Sequence, residues 1–458
     1  MAIPQDNTLR CGLGWAAKVT CSGKYITGRT PEDVLKESIA WTFSNAAELE
    51  QLRGKKPTDV LLEGVEIIED ESRQSITLTK QGQSASAQVN GNMGAMVAEP
   101  LDAESHFEPT DIVPAPQSLQ ALETGHTDID QKFVDEAVAL MFEDGRQMTN
   151  AYLVLHKGQI VAEHYRAPFD QETRFESWSM GKSIASTLIG RLHAKGHLDI
   201  DEDHLFDAWS ADGDPRANIK LRHLLNMSSG LDFSGSFGRG EDTNVKERGG
   251  KFLDHIYVYA SGCDSYRFCL EKPTEIAPGS AVRYRNCDPL LVMHFIRERA
   301  TASLAEFHRL PQSLLFDLLG ATNFVLETDP YGGFLISGHD YGTARDWAKV
   351  GQLWLQRGAW GNEQLLQEDY IDFALSPAPG SEEPYYGGFM LLNRAGVASG
   401  LPKDAFWFSG GGLQRTIVVP SKELVIVRLG HIFGARFKLD QTMQKANALL
   451  CDAVTVSG

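Results

Sequence analysis

Two regions far apart in the chain carry the same strand-like pattern, and this limits the fold more than any other feature. "AYLVL" and "IVAEHY" flank "HKGQ" (156–159) as the arms of a hairpin. Near the other end, "WFSGGGLQRTIVVP" (407–420) and "LVIVRLGH" (424–431) read as two more strands. The long stretch between them is helical in pattern. A sheet assembled from both ends of one domain around a helical middle is an antiparallel α+β arrangement. Helices frame it. "DIDQKFVDEAVALMFED" (128–144) puts Phe133, Val134, Ala137, Val138 and Met141 on one face. "TARDWAKVGQLWLQRG" (343–358) has Thr343 ahead of it, Asp346 at its third position and Gly358 as its stop. A last helix over 437–453 packs Met443, Ala446, Leu449 and Leu450, and Trp347, Trp354 and Trp360 read as core.

The first hundred residues form a block of their own. "TPEDVLKESIAW" (30–41) opens with a cap signature and continues through Val34, Leu35, Ile39 and Trp41 at helical spacing. Residues 64–91 alternate and break at polar turns, which predicts two or three strands. Residues 99–119 are acidic and proline-rich, as in a linker. The expected division is an accessory α+β domain over 1–100, a linker over 101–126 and a main domain over 127–458. A helical subdomain would be inserted at about 190–330. The accessory domain would cover a cleft or supply a homodimer contact.

Composition narrows the function. The chain has 458 residues and a formal net charge of −18. Such a surface repels phosphate backbones and anionic lipid, so nucleic acid and membrane surfaces are poor partners. No apolar run is long enough to span a bilayer. "MAIPQDNTLRCGLGWAAK" lacks a basic segment followed by an apolar one, so the chain as it stands reads as cytoplasmic, or as periplasmic if a leader has been removed. The six cysteines form no C-x-x-C pair and read as buried thiols, with Cys11–Cys21 or Cys263–Cys269 bridges open to an exported protein.

The chemistry begins at "FESWSMGKSIAS" (175–186). Ser179 and Lys182 stand i, i+3, on one face of a helix start. A serine hydroxyl needs a base, and a lysine freed of its proton by burial can serve. By itself S-x-x-K is weak, because a chain of this length holds about one by chance. The plain alternative is a polar helix start capped by Ser177 or Ser179. "SWSMG" also misses the G-x-S-x-G nucleophile elbow by one glycine and lacks the entering strand. Two further patterns support the pair: Tyr284-Arg285-Asn286, and the glycine-rich strand "WFSGGGLQ" (407–414). A phenol can pass a proton to a leaving group, and glycines at a strand edge let an N–H face a developing oxyanion.

In this order the three patterns resemble the penicillin-recognising serine hydrolases. The likeness is strongest to the class C β-lactamase branch, with its family VIII carboxylesterases, D-amino-acid peptidases and 6-aminohexanoate-dimer hydrolases. "IKLRHLLNMSSGLDF" (219–233) and "TARDWAKVGQLWL" resemble further family segments, so the likeness covers roughly 130–453. It implies a β-lactamase/transpeptidase-like fold and acyl transfer to water on a small ester or amide, with no cofactor and no metal. It implies Ser179 as nucleophile, Lys182 as general base, Tyr284 as proton relay and Asn286 as a substrate contact. The oxyanion hole would be the backbone N–H groups of Ser179 and Gly411, with Trp407, Phe408, Ser409 and Gly410 along the substrate edge. The chain departs from the family where K-T-G or H-T-G is usual. Phe408-Ser409-Gly410 stands there, without a cation, which favours uncharged acyl groups over β-lactams. Arg415 close by reads as a solvated strand arginine.

Other readings compete. A D-amino-acid peptidase or weak β-lactamase would use the same residues, and a non-catalytic ligand sensor would keep the cleft alone. His193 and His197 with the acidic turn after them could suit a metal, but Gly196 breaks the helix between them and no H-E-x-x-H is present. "GSFGRGEDTN" (235–244) lacks G-K-[ST] and reads as a loop over the pocket.

Overall fold

The computed structural model describes residues 2–39, 63–98, 106–117, 122–125, 127–143, 147–235, 250–381, 385–432 and 440–454. A helix that the patterning above does not single out comes first: α1 spans Thr8–Tyr25, with the Asn7 side chain accepting from the Arg10 N–H as its cap. Glycines let it pack closely. A Cβ on Gly14 would lie 2.2 Å from the Ala260 carbonyl oxygen. Residues 31–39 follow in a second helical segment, capped by Thr30, and the rest of the helix expected over 30–41 lies outside the described residues. Four strands then form one antiparallel sheet in the order of the chain: β1 (Glu66–Asp70), β2 (Ser75–Lys80), β3 (Gln83–Val89) and β4 (Ala95–Val97). Residues 106–117 carry no helix or strand.

The remaining elements follow in chain order. Helix α2 (Gln131–Glu143) precedes the hairpin β5 (Thr149–His156) and β6 (Gln159–Tyr165). A short strand β7 (Phe175–Glu176) leads through a turn into α3 (Gly181–Ala194). The helical middle includes α4 (Asp254–Ala260) and α5 (Cys287–Ala300). Next come β8 (Val325–Leu326), β9 (Asp340–Gly342) and α6 (Ala344–Leu355). The Thr343 hydroxyl caps α6 by accepting from the Asp346 N–H. Strands β10 (Leu391–Leu392), β11 (Phe406–Gly410), β12 (Gln414–Val419) and β13 (Leu424–Gly430) precede the final helix α7 (Gln441–Ala453). The six-stranded sheet runs β10-β11-β12-β13-β5-β6, antiparallel throughout, and is built from both ends of its domain. This is the antiparallel α+β arrangement expected from the two end regions.

One strand expectation needs correction. Residues 407–420 are not one strand but two, β11 and β12, joined at Gly411–Leu413. Gly412 and Leu413 both take left-handed backbone angles, φ +69° and +66°, so the chain reverses within three residues.

Alternation across the sheet creates two cores. Tyr152, Val154, Trp407, Ile417 and Ile426 face α2 and α7. Leu153, Leu155, Phe408, Val418 and Val427 face the opposite side, and there the core is continuous with Leu13, Trp15 and Val19 of α1. The N-terminal helix therefore shares a hydrophobic core with the large sheet. A buried polar knot strengthens the join. Lys18 donates to the Ala95 carbonyl and to Glu327 Oε2 (2.8 Å). The other Glu327 oxygen accepts from Ser22 Oγ (2.6 Å) and the Ala95 N–H (2.7 Å). All six cysteines are buried and free, so neither bridge forms.

Candidate active site

Strands β7 and β9 pair as Phe175–Gly342 and Glu176–Tyr341, and the turn that carries Ser179 follows β7. Ser179 lies in a single 3-10 turn, Trp178–Met180, that runs directly into α3. Trp178 has φ +51°, a strained angle for a tryptophan, and its indole N–H donates to His431 Nε2 at 2.9 Å. The ring also packs against Trp15 of α1 at 5.9 Å. Ser177 does not cap the helix. Its N–H and hydroxyl both reach the Asp340 carbonyl oxygen, at 3.0 and 2.7 Å, and the hydroxyl also donates to the Asp340 carboxyl.

Ser179 remains partly exposed, while Lys182 one helical turn on is buried. Lys182 Nζ stands 2.8 Å from Ser179 Oγ and donates to the Ser337 carbonyl. Burial drives the lysine pKa well below its ordinary value, and the nearby Asp340 carboxyl opposes that only in part. Placement at a helix N-terminus adds to the penalty on an ammonium. A lysine without its proton can accept the hydroxyl hydrogen of Ser179. Tyr284 closes the group. Its phenol hydrogen-bonds with Ser179, its ring centroid lies 4.8 Å from Lys182 Nζ, and burial raises its pKa. The phenol therefore keeps its proton at neutral pH and can donate it.

The structure brings Ser179, Lys182 and Tyr284 together and disperses some of the other sequence candidates. Gly410 packs so closely under the Ser179 turn that a Cβ there would meet the Ser177 carbonyl oxygen at 2.0 Å. Ser409 and Gly411, flanking it, stay partly exposed. Trp407 and Phe408 do not line this edge. They are 4% and 0% exposed and point into the two opposite cores, Phe408 against Trp347. Period-two alternation buries both, because each face of the central strand is covered by helices. Asn286 is 1% exposed and its amide donates to the His255 carbonyl at 2.7 Å, so it ties the start of α5 to α4. Arg415 is not a solvated arginine: it is buried, and its Nη1 donates to the carbonyls of Gly410 (3.0 Å) and Gln414 (2.7 Å), bracing the glycine turn.

Two residues that matter here had no local signal. Asp340 bonds Ser177 under the Ser179 turn although it is far away in sequence, and His431 accepts from Trp178. Among the described residues no group of three or more metal-ligating side chains forms. His193 instead faces Asp369 at 3.2 Å. Most of "GSFGRGEDTN" falls outside the described residues.

Comparison with known proteins bears on the family and the fold. The Beta-lactamase family model matches residues 133–449. The 6-aminohexanoate-dimer hydrolase of Paenarthrobacter ureafaciens is 23% identical over 346 residues, covering 72% of this chain and 82% of that protein. Two solved structures share the fold. A family VIII carboxylesterase superposes with a TM-score of 0.54 at 15% identity, over 73% of this chain and 99% of that one. A penicillin-binding protein homolog from Caulobacter crescentus gives the same values, 0.54 and 15%, with 73% and 99% covered.

Proposed function

This chain belongs to the Beta-lactamase family of serine hydrolases, and from that premise we propose that it cleaves an ester or linear amide bond through an acyl-Ser179 intermediate. The observation that carries the reading is the contact of one hydroxyl with two groups, Lys182 Nζ at 2.8 Å and the Tyr284 phenol. Lys182 takes the Ser179 proton as Oγ bonds to the carbonyl carbon and the carbonyl π pair moves onto oxygen. Tyr284 gives a proton to the leaving alkoxide or amine as its bond to carbon breaks, and is restored from the lysine ammonium. Water then attacks the acyl carbon by the reverse relay and frees Ser179. Backbone N–H groups of Ser179 and Gly411 are the assigned oxyanion donors, supported by the seat of Gly410 against the nucleophile turn.

Two features favour esters and linear amides over β-lactams. No Lys or His stands at Phe408, the position of the usual third-motif cation. Arg415, the nearest replacement, uses its Nη1 on the turn carbonyls. The relatives named for an aminohexanoate dimer and for carboxylic esters accord with this choice. The test is a substrate panel of p-nitrophenyl esters, short amide oligomers, D-amino-acid amides and nitrocefin, run beside Ser179→Ala. Ester turnover with little nitrocefin hydrolysis is expected, and Ser179→Ala should lose at least about 10³-fold in kcat/KM. Rapid nitrocefin turnover would reject the substrate class. Undiminished turnover by Ser179→Ala would reject the nucleophile.

A further inference from the structure

Beyond Ser, Lys and Tyr, one more ionisable side chain reaches the nucleophile turn. Asp340 is fully buried at the start of β9. Its carboxyl accepts from Ser177 Oγ, and the Gly181 N–H faces it. The fit needs a glycine, since a Cβ on Gly181 would lie 2.1 Å from Asp340 Oδ1. The carboxyl thus grips the turn on both sides of Ser179 while its charge acts on Lys182.

We propose that Asp340 is a positioning residue for the hydrolysis, holding the nucleophile turn through Ser177 and setting by its own charge whether Lys182 is free to take the Ser179 proton. This rests on the reading of Lys182 as the base. An ionised Asp340 favours the lysine ammonium, which cannot accept a proton. A protonated Asp340 leaves a neutral amine, which can. Burial pushes the Asp340 pKa up to about 8, against the Ser177 bond and the Lys182 charge.

The surroundings leave these two groups to share the neutral range. Glu327, just after β8, also acts on Asp340, but Lys18 and His339 outweigh its burial and hold it ionised. Tyr259 from α4, Tyr284 ahead of α5 and Tyr341 beside it in β9 also sense the carboxyl, and burial raises all three. Burial likewise lowers the neighbouring His339 to about 4, so it is neutral at pH 7. One proton distributed between Asp340 and Lys182 therefore decides the state of the base.

The experiment compares pH profiles of kcat/KM on a p-nitrophenyl ester for the full chain, Asp340→Asn and Ser177→Ala. Asn keeps an acceptor for Ser177 and removes the charge, so Lys182 loses support for its proton. The acid limb should move to lower pH by about 1 unit or more. Ser177→Ala removes a bond that favours the ionised carboxyl, so the limb should move the same way by less. An acid limb that stays in place in both variants, with activity merely reduced, overturns the proposal and leaves Asp340 a packing role. If Asp340→Asn does not fold, Ser177→Ala decides alone. Labelling by a fluorophosphonate, read as a mass shift in wild type and absent in Ser179→Ala, separates the two levels. Labelling with unmoved limbs removes only Asp340 from the scheme. Turnover that survives Ser179→Ala and Lys182→Met removes the base assignment and this inference together.

Discussion

Among the described residues two lysines lie fully buried, Lys18 in α1 and Lys182 in the first turn of α3, and their surroundings differ. Lys18 has a carboxylate at 2.8 Å, a carbonyl beside it and a glutamate whose other oxygen is also satisfied. Lys182 has a hydroxyl, a carbonyl and an aromatic face, and no carboxylate within ion-pair distance among the described residues. Burial alone does not make a lysine reactive. Burial without a close counter-charge does, because the neutral amine is then the cheaper form. The first site joins two parts of the chain, and the second has the surroundings that the proposed base requires.

The largest expected effect on this contrast is at Lys182. Lys182→Met should lower kcat/KM by about 10²- to 10⁴-fold while leaving the thermal midpoint unchanged or raised. Calorimetry beside the ester assay checks both. Lys18→Met should do the reverse, costing about 3–5 kcal/mol of unfolding free energy by leaving Glu327 buried without its partner. Urea unfolding measures it, and activity of the folded fraction should change little. If Lys18→Met proves as stable as wild type, the contrast fails.

A sharper version adds Glu327→Gln to Lys18→Met. The amide keeps an acceptor for Ser22 and the Ala95 N–H but carries no charge. The double variant should recover at least about half of the single variant's loss, since the penalty lies in the orphaned charge. The smallest effect is in pH. Glu327 is held below its ordinary 4.5, with Lys18 and His339 outweighing its burial. Its folded pKa is depressed, so its contribution is present above pH 4.5 and is lost as pH falls through the folded value. The stability gap between wild type and Lys18→Met should therefore narrow as acid is added below pH 4.5. A constant gap would place the effect of Lys18 in packing.

Sequence patterns carried the outline of the sheet, the capped helix at Thr343 and the Ser179–Lys182 pair, because each rests on spacing within one element. They did not reveal α1. Its glycines depress helix propensity, and at Gly14 the reason for glycine is a contact with Ala260, far away in sequence. Trp407 and Phe408 were misplaced because a glycine-rich edge suggests openness, whereas helices cover both faces of β11. Asp340 is one carboxylate among the 61 acidic residues of the chain, with nothing beside it to mark it. Only the pairing of β7 with β9 brings it under Ser179.

The bond between Lys18 and Glu327 spans 309 positions, and that distance sets a timetable for the newborn chain. At ribosomal speed the first helix waits about a quarter of a minute to a minute for its glutamate to emerge. Until then α1 can lie on the small sheet β1–β4, made soon after it, but Lys18 lacks its carboxylate partner. The join at Lys18 is thus completed long after α1 is made, and that interval is when a chaperone has most to protect.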